Sequence, residues 1–468
     1  MLFLIASLLT ATAAPIKSIL LSPPLHPPRL RALQRGVDRG PNCAGPATIA
    51  PQLSSSATTL IRTHDAGVLD WCVLFPDPTA DPSLPQSYSW AAGDAYFKTI
   101  LEGGFRPYIR LGVSWTYPSP SCINPDPALF AAVAVKTLAH YNDGWAGGFL
   151  PPPAQKVQHC ELWNEPDGQP RFWNSSSDAF HALFDAAARA IKAYDPLLLV
   201  GGPGVAQPLG PLSYNYSFGL LDFVAARSTP IDFFSWHTYG HVSGAPGSWG
   251  HSPADLYNGT IAAVRAGLAA RGLQHLKQHI TEWDPAILGN ETVTGGAEAA
   301  SFTASALTFM ADADDVAVSV FYPGCEGVGA DGSWGLFEDF GNGTVGWRRE
   351  GRAWGAVGAT LRDAPLAMGA VFPAEKDYTV LAGGSASGAL VSVVVSARAS
   401  SFSGFSLSVP VSGGGVGGGG VAAVSVFLMD GVREGAWQNT TAPINGGVCN
   451  VLVAEFSPPS VAWVRVET

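Results

Sequence analysis

Two short stretches carry residue types that can do acid–base and nucleophilic chemistry. His159-Cys160-Glu161-Leu162-Trp163-Asn164-Glu165-Pro166-Asp167-Gly168 opens as an alternating run over 157–162 and closes in Asn-Glu-Pro and Asp-Gly. The first pattern is that of a strand and the second is turn chemistry, so an amide and a carboxyl stand at a strand's C-terminal mouth. His279-Ile280-Thr281-Glu282-Trp283-Asp284 repeats the arrangement, a short strand ending in a carboxylate. Parallel α/β barrels collect their reacting groups at that end of their strands. Two strand-end glutamates suit the hydrolysis of a glycosidic bond, in which one protonates the leaving oxygen and the other attacks or activates water. By itself an Asn-Glu-Pro is more often an ordinary acidic loop, and it is the second carboxylate strand that makes the pair informative.

The elements that must position these groups follow a regular alternation. The run 59–65 alternates and carries Arg62 and His64, and 91–102 reads as an amphipathic helix stopped by Gly103-Gly104. A strand over 106–113 ends at Ser114-Trp115, and a helix over 127–141 precedes the Glu165 strand. Beyond it come a helix over 177–194, a strand over 197–200, a strand over 231–236 ending in His237-Thr238-Tyr239, and a helix over 253–271. The Glu282 strand, a helix over 296–313 and a strand over 316–322 complete the series. Gly201-Gly202-Pro203-Gly204 is no dinucleotide loop, because a proline interrupts it and no helix follows directly. Strands alternating with helices at this spacing predict a parallel sheet. With an eighth strand expected near Leu33, the economical closed form is a (β/α)8 TIM barrel over 47–365. After a helix at 352–361 the periods change. Strands at 390–395, 405–411, 421–428 and 460–466 predict an accessory β-sandwich domain over 366–468. Gly413 to Gly420 reads as a hairpin or loop, and 15–46 is an N-terminal segment able to lend the sandwich a strand.

The motifs Trp163-Asn164-Glu165-Pro166, Phe234-Ser235-Trp236-His237-Thr238-Tyr239 and Ile280-Thr281-Glu282-Trp283, in this order, resemble glycoside hydrolase family 39. That family holds β-xylosidases and α-L-iduronidases on a clan A barrel, and the resemblance runs from about residue 59 to about 358. It implies Glu165 as general acid/base and Glu282 as nucleophile, with retention of configuration and carboxyls about 5–5.5 Å apart. Asn164 would donate to the sugar 2-hydroxyl, while Tyr239 and Arg62 would donate to the Glu282 carboxylate. His64 and His237 lie two residues along the same strands, on the same side, and would bind sugar hydroxyls. Trp115, Trp283 and Trp334 would each stack on a pyranose face, although core packing is the common fate of such residues. Glu161 keeps parity with Glu165 on an unbroken strand, but its depth predicts a structural ion pair. In the iduronidase branch a lysine pairs with the uronate where Tyr239 stands here. A neutral sugar is therefore implied, xylose first, although the loop 322–340 departs from the xylosidase pattern. The alternatives are another clan A glycosidase (an α-L-iduronidase, a β-glucosidase or an endo-glycanase) and a non-catalytic carbohydrate-binding protein on the same fold.

Bulk properties narrow the field. The chain is 47% hydrophobic and 13% charged with a net charge of −11, which supports a large core and argues against a nucleic-acid partner. Its 14 Trp suit a protein that meets sugars. Residues 1–14 form an apolar run ending in small residues, which reads as a signal peptide. No other uninterrupted apolar stretch is long enough to span a membrane. Six sequons, at Asn174, Asn215, Asn258, Asn290, Asn342 and Asn439, agree with an expected secreted or secretory-lumen glycoprotein. Six cysteines without a Cys-x-x-Cys pair disfavour a zinc or redox site, and neither metal nor cofactor is expected. Fifteen full pairings remain open, as does a free buried thiol at Cys160.

Overall fold

A computed structural model describes residues 16–24, 31–43, 48–240, 252–285, 296–326, 335–372, 375, 378–398, 403–411, 420–456 and 458–468. The proposed leader at 1–14, the Asn290 sequon, Trp334 and most of the Gly413–Gly420 stretch lie outside them.

Eight parallel strands close on themselves: β2 (Gln34–Asp38), β3 (Leu60–Arg62), β4 (Arg106–Leu111), β5 (His159–Leu162), β6 (Leu199–Val205), β7 (Phe233–Tyr239), β8 (Lys277–Asp284) and β9 (Val316–Phe321). Closure runs through β2, which pairs in parallel with β3 on one side and β9 on the other. The strand expected near Leu33 is therefore the barrel's first. Alternation then sorts the side chains. On β5 Cys160 turns out into the helix-packed core, whereas Glu161 turns in toward Arg62 and Thr281. The helices Ala91–Glu102 and Ser177–Tyr194 fall where their apolar periods place them. Among the described residues, three short helices go beyond the sequence expectation, Ala50–Ser55, Trp71–Leu74 and Phe218–Arg227, none with a side-chain cap to announce it. The 253–271 helix is split at Gly259 into a π-turn, Ala254–Gly259, and an α-helix, Thr260–Ala269.

The second sheet also closes on itself, and its strands bury a separate apolar core around Val393, Val395, Phe405, Leu407 and Val464. β1 (Ile16–Pro24) belongs to it, parallel to Gly404–Pro410 and antiparallel to Leu366–Val371. Four of its strands went unmarked by the sequence patterns: Leu366–Val371, Tyr378–Gly384, Glu434–Asn445 and Val448–Val453. The sheet packs on the barrel's last helices. Ala297–Asp312 carries Ser301, Ala304, Ser305 and Thr308, small side chains that let a sheet approach its backbone. Ser305 Oγ bonds Thr379 Oγ1 and Ser396 Oγ, each at 3.1 Å, and Thr360 Oγ1 bonds Ser392 Oγ at 2.7 Å, so these buried hydroxyls satisfy one another across the contact.

Two disulfides form, Cys43–Cys325 and Cys72–Cys122, leaving Cys160 and Cys449 as buried thiols. The first ties the segment after β2 to the segment after β9, at the seam where the barrel closes. No helix among the described residues is long and apolar enough to cross a membrane.

Candidate active site

The site is assembled on a guanidinium. Arg62, at the end of β3, is fully buried and spends its donors on four partners from three other strands. Nε reaches Glu161 Oε2 at 2.6 Å, Nη1 reaches Glu282 Oε1 at 2.8 Å and Asp38 Oδ2 at 3.2 Å, and Nη2 reaches Asn164 Oδ1 at 2.8 Å. Burial works against the arginine's charge, and Glu161, Asp38 and Glu282 more than restore it. Three carboxyls face one cation, so the cluster favours a proton on one of them. Burial pushes Asp38 well above the usual carboxylate range, and that outweighs the pull of Arg62. Glu161 is the expected structural ion pair, with Thr281 Oγ1 donating to its other oxygen at 2.8 Å.

Both motif strands break their alternation at the motif. In β8 the pairing slips, so that Ile280 lies opposite Trp236 while Glu282 lies opposite His237. This bulge turns Thr281 and Glu282 inward together and throws Trp283 outward. Trp283 is thus a correction to the expected sugar-stacking role. It is fully buried, its Nε1 donates to Ser319 Oγ at 2.8 Å, and it packs on Tyr257, Phe321 and Trp354. After β5, Trp163 (φ 81°) and Glu165 (φ 44°) adopt left-handed conformations that cost about 1–3 kcal/mol each. Trp163 is pinned from outside by its Nε1 bond to Phe172 O at 2.9 Å. The Glu165 N–H bonds Gly204 O at 2.9 Å. Asn164 and Glu165 consequently both reach the pocket, which an unbroken strand would forbid.

Glu165 and Glu282 face each other there. One carboxylate oxygen of each and a ring nitrogen of His237 all lie within 4.8 Å of one another. His237 Nδ1 is 2.8 Å from Glu165 Oε1 and 3.5 Å from Glu282 Oε2. The imidazole is fully buried, and its Nε2 sits where a Cβ on Gly204 would come within 2.9 Å, so only glycine fits there. His237 touches both carboxylates, because β7 delivers it between them. Tyr239 donates to Glu282 Oε2 at 2.9 Å, as expected. His64 Nε2 stands 3.4 Å from Glu282 Oε1 and its Nδ1 has no partner. Asn164 Nδ2 is likewise buried without a partner, a donor available to a ligand. Arg62, also expected to bind substrate, lies beneath Glu282 and Asn164.

The electrostatics separate the two acids. Burial, reinforced by the charge of Asp167, raises Glu165 from 4.5 to about 8. Burial also raises Glu282, but the Arg62 guanidinium, by its charge and its hydrogen bond, pulls against that rise. Burial holds His64 and His237 below the ordinary histidine value, so both imidazoles are neutral at pH 7. A neutral acid beside an anion held by fixed donors can protonate one atom and attack another. Glu165, His237 and Glu282 offer a donor set that could also bind a divalent ion, but the polarity of the pair needs none.

Three residues of the rim escaped the sequence analysis. Tyr322 follows β9 and donates to Asp65 Oδ2 at 2.6 Å, and Asp65 Oδ1 takes the Trp115 N–H at 2.8 Å. Arg39 follows β2 with φ 67°, half-buried, and its charge acts on His64 and Tyr322. Each lies just past a barrel strand, so the strand-end rule that picked out Glu165 would have found them. Trp115 is 53% exposed on this rim, with Arg171 Cζ 4.2 Å over its ring and Phe172 between it and His64.

Comparison with known proteins agrees with this geometry. Residues 155–319, which span both glutamates, match the family model for glycosyl hydrolases family 39. A β-xylosidase of Geobacillus stearothermophilus is 33% identical over 135 residues, 26% of this chain and 25% of that one. A β-xylosidase of Caldicellulosiruptor saccharolyticus is 26% identical over 228 residues, 42% of this chain and 41% of that one. The matches thus span well under half the length of either relative. Among solved structures, a glucosidase from Croceicoccus marinus superposes with a TM-score of 0.77 at 24% identity, covering 97% of this chain and 99% of that one.

Proposed function

We propose that this chain, whose residues 155–319 match the family model for glycosyl hydrolases family 39, is a retaining β-glycosidase of neutral sugars, β-xylosidase-like. Glu165 is its acid/base and Glu282 its nucleophile. The observation that carries this reading is the approach of the two carboxylates, with oxygens within 4.8 Å and unequal surroundings. Such closeness leaves no room for a water between Glu282 and the anomeric carbon, which inversion would need. In the first step Glu282 bonds to C1 as the C1–O bond breaks. The departing oxygen keeps the electron pair, takes the Glu165 proton and leaves as the alcohol. In the second, Glu165 removes a proton from water, which displaces Glu282 at C1 and regenerates both groups. Asn164 Nδ2 supplies a donor to the 2-hydroxyl, a bond that strengthens as positive charge develops at C1. Arg62 and Tyr239 fix the attacking carboxylate before reaction, so no reorganisation is paid at the barrier.

The two β-xylosidase relatives make xylose the first sugar to try, and the glucosidase superposition makes glucose the second. A uronide is the reading that Arg39 favours, since a guanidinium near His64 is a potential partner for a carboxylate. Tyr239 argues against it, because a uronate buried without a cation costs several kcal/mol. Aryl β-xyloside, β-glucoside and β-glucuronide with one leaving group decide the sugar through kcat/KM, and NMR of the first-formed anomer decides the stereochemistry. Neutral substrates and a β-hemiacetal are expected. A preference for the glucuronide would overturn the neutral sugar, and an α-product would overturn retention.

A further inference from the structure

Beside Glu165 opens a cavity of about 420 Å3 that the hydrolytic steps above do not use. Its inner wall is Glu165, His237 and Tyr239, and its outer walls are the segment 206–210 after β6 and the helical turn Ala254–Gly259 with Thr260. Glu282 is not among its lining residues. Because the glycosidic oxygen must sit within reach of the Glu165 proton and beyond C1 from Glu282, this cavity is where the departing alcohol lies. That placement rests on the acid/base assignment above.

The lining says which alcohol. Ala206, Pro208, Leu209 and Leu256 contribute carbon, and among the described residues the polar side chains apart from the catalytic wall and Thr238 are Gln207 and Thr260. A second pyranose brings several hydroxyls, and each one buried without a partner weakens binding roughly tenfold. Sugars also favour a flat aromatic platform, and none lines the outer walls among the described residues. Trp115, an exposed indole, packs against Phe172 and is not part of the cavity wall. Leu209 is 48% exposed and Leu212, next along the same segment, 87% exposed. Leu209 thus presents carbon to the cavity and to solvent alike. The volume lies within the range of small-molecule sites, where apolar walls with few polar groups are the rule.

We infer that the leaving-group subsite is built for an apolar aglycone, an alkyl or aryl alcohol, in preference to a further sugar. Methyl, butyl and hexyl β-xylosides, with the matching glucosides alongside, test this without changing the chemistry, since their alcohols have nearly equal acidity. For the full chain, kcat/KM should rise from methyl to hexyl by on the order of tenfold or more, and xylobiose should fall below hexyl xyloside. Leu209→Ser, at an exposed position that tolerates a polar residue, should cut the hexyl-to-methyl ratio at least about threefold. A flat series with methyl glycoside still cleaved, or xylobiose as the better substrate, would overturn this inference and leave the two-glutamate reading standing. No turnover on any xyloside or glucoside would overturn this inference together with the neutral-sugar reading.

Discussion

Glu165 and Glu282 are the same chemical group at the mouth of one barrel, and they live in opposite surroundings. Glu282 is 4% exposed, with a guanidinium at 2.8 Å, a phenol at 2.9 Å and an imidazole at 3.4 Å aimed at its oxygens. The Glu165 side chain keeps 18% exposure, rests against a neutral imidazole at 2.8 Å, and feels the charge of Asp167. Fixed donors favour an anion, whereas burial beside a like charge favours a neutral acid. On the proposed mechanism, these neighbours divide one carboxylate pair into a nucleophile and an acid, as a single fold must to run both chemistries at one pH.

The comparison is broken most severely by deleting each carboxylate in turn. Glu282→Ala should remove turnover on every substrate, by about 10^4-fold or more. Glu165→Ala should cost about 10^2–10^4-fold on poor leaving groups and far less on activated aryl glycosides, which need little protonation. Azide then reports on the roles, giving a β-glycosyl azide with Glu165→Ala and an α-azide with Glu282→Ala. The reverse stereochemistry would mean that the acid and the nucleophile are exchanged.

A milder perturbation leaves both carboxylates and removes one donor. Tyr239→Phe deletes the phenol that holds Glu282 Oε2. A hydrogen bond to a charged group is worth about 1.5–3 kcal/mol, so kcat/KM should fall about ten- to a hundredfold. Because the phenol holds the nucleophile before and during attack, the loss should appear in kcat rather than in KM. A change confined to KM would show that Tyr239 binds substrate instead.

The finest test is the titration of Glu165. Its protonated form is the active one, so kcat/KM should decline above about 8, and that limb should vanish in Glu165→Ala. The sign for stability is the same. A carboxyl raised in the folded state contributes stability that is complete below its unfolded value and is lost as the pH climbs through about 8. Asp167→Asn removes the like charge and should move the limb to lower pH, with kcat/KM at neutral pH falling by no more than about threefold. Asp167 also accepts the Ala206 N–H, both contacts at 3.1 Å, so the aglycone wall should loosen too. An upward shift would show that Asp167 is not what raises Glu165.

Local rules reached far in this chain. Alternation of period two and amphipathy of period 3.6 are written in consecutive residues, and they mark most of the barrel strands and helices without knowledge of their partners. The turn chemistry of Asn164-Glu165-Pro166 puts the acid at a strand's mouth for the same reason. Even the deep ion pair of Glu161 follows from counting along β5. Parity also misled, because it holds only while a strand stays regular. The slip in β8 and the left-handed residues Trp163 and Glu165 are set by neighbouring strands, and they exchange which residues face the pocket. So Glu282 and not Trp283 points inward, and His237 falls between two carboxylates.

Closure decided the rest. Arg62 meets Asp38, Glu161, Asn164 and Glu282 only because β2, β3, β5 and β8 converge at one radius, a fact no window of sequence contains. The pairing of Cys43 with Cys325 depends on β2 lying beside β9, across almost the whole barrel. β1 likewise leaves the barrel for the second sheet, where partners far along the chain bury Ile19 and Leu21. Sequence alone determined which residue types stand at which strand ends. The pKa of each, the side it faces and the group it touches came from long-range packing, since burial and Coulomb interaction depend on distance in space and not along the chain.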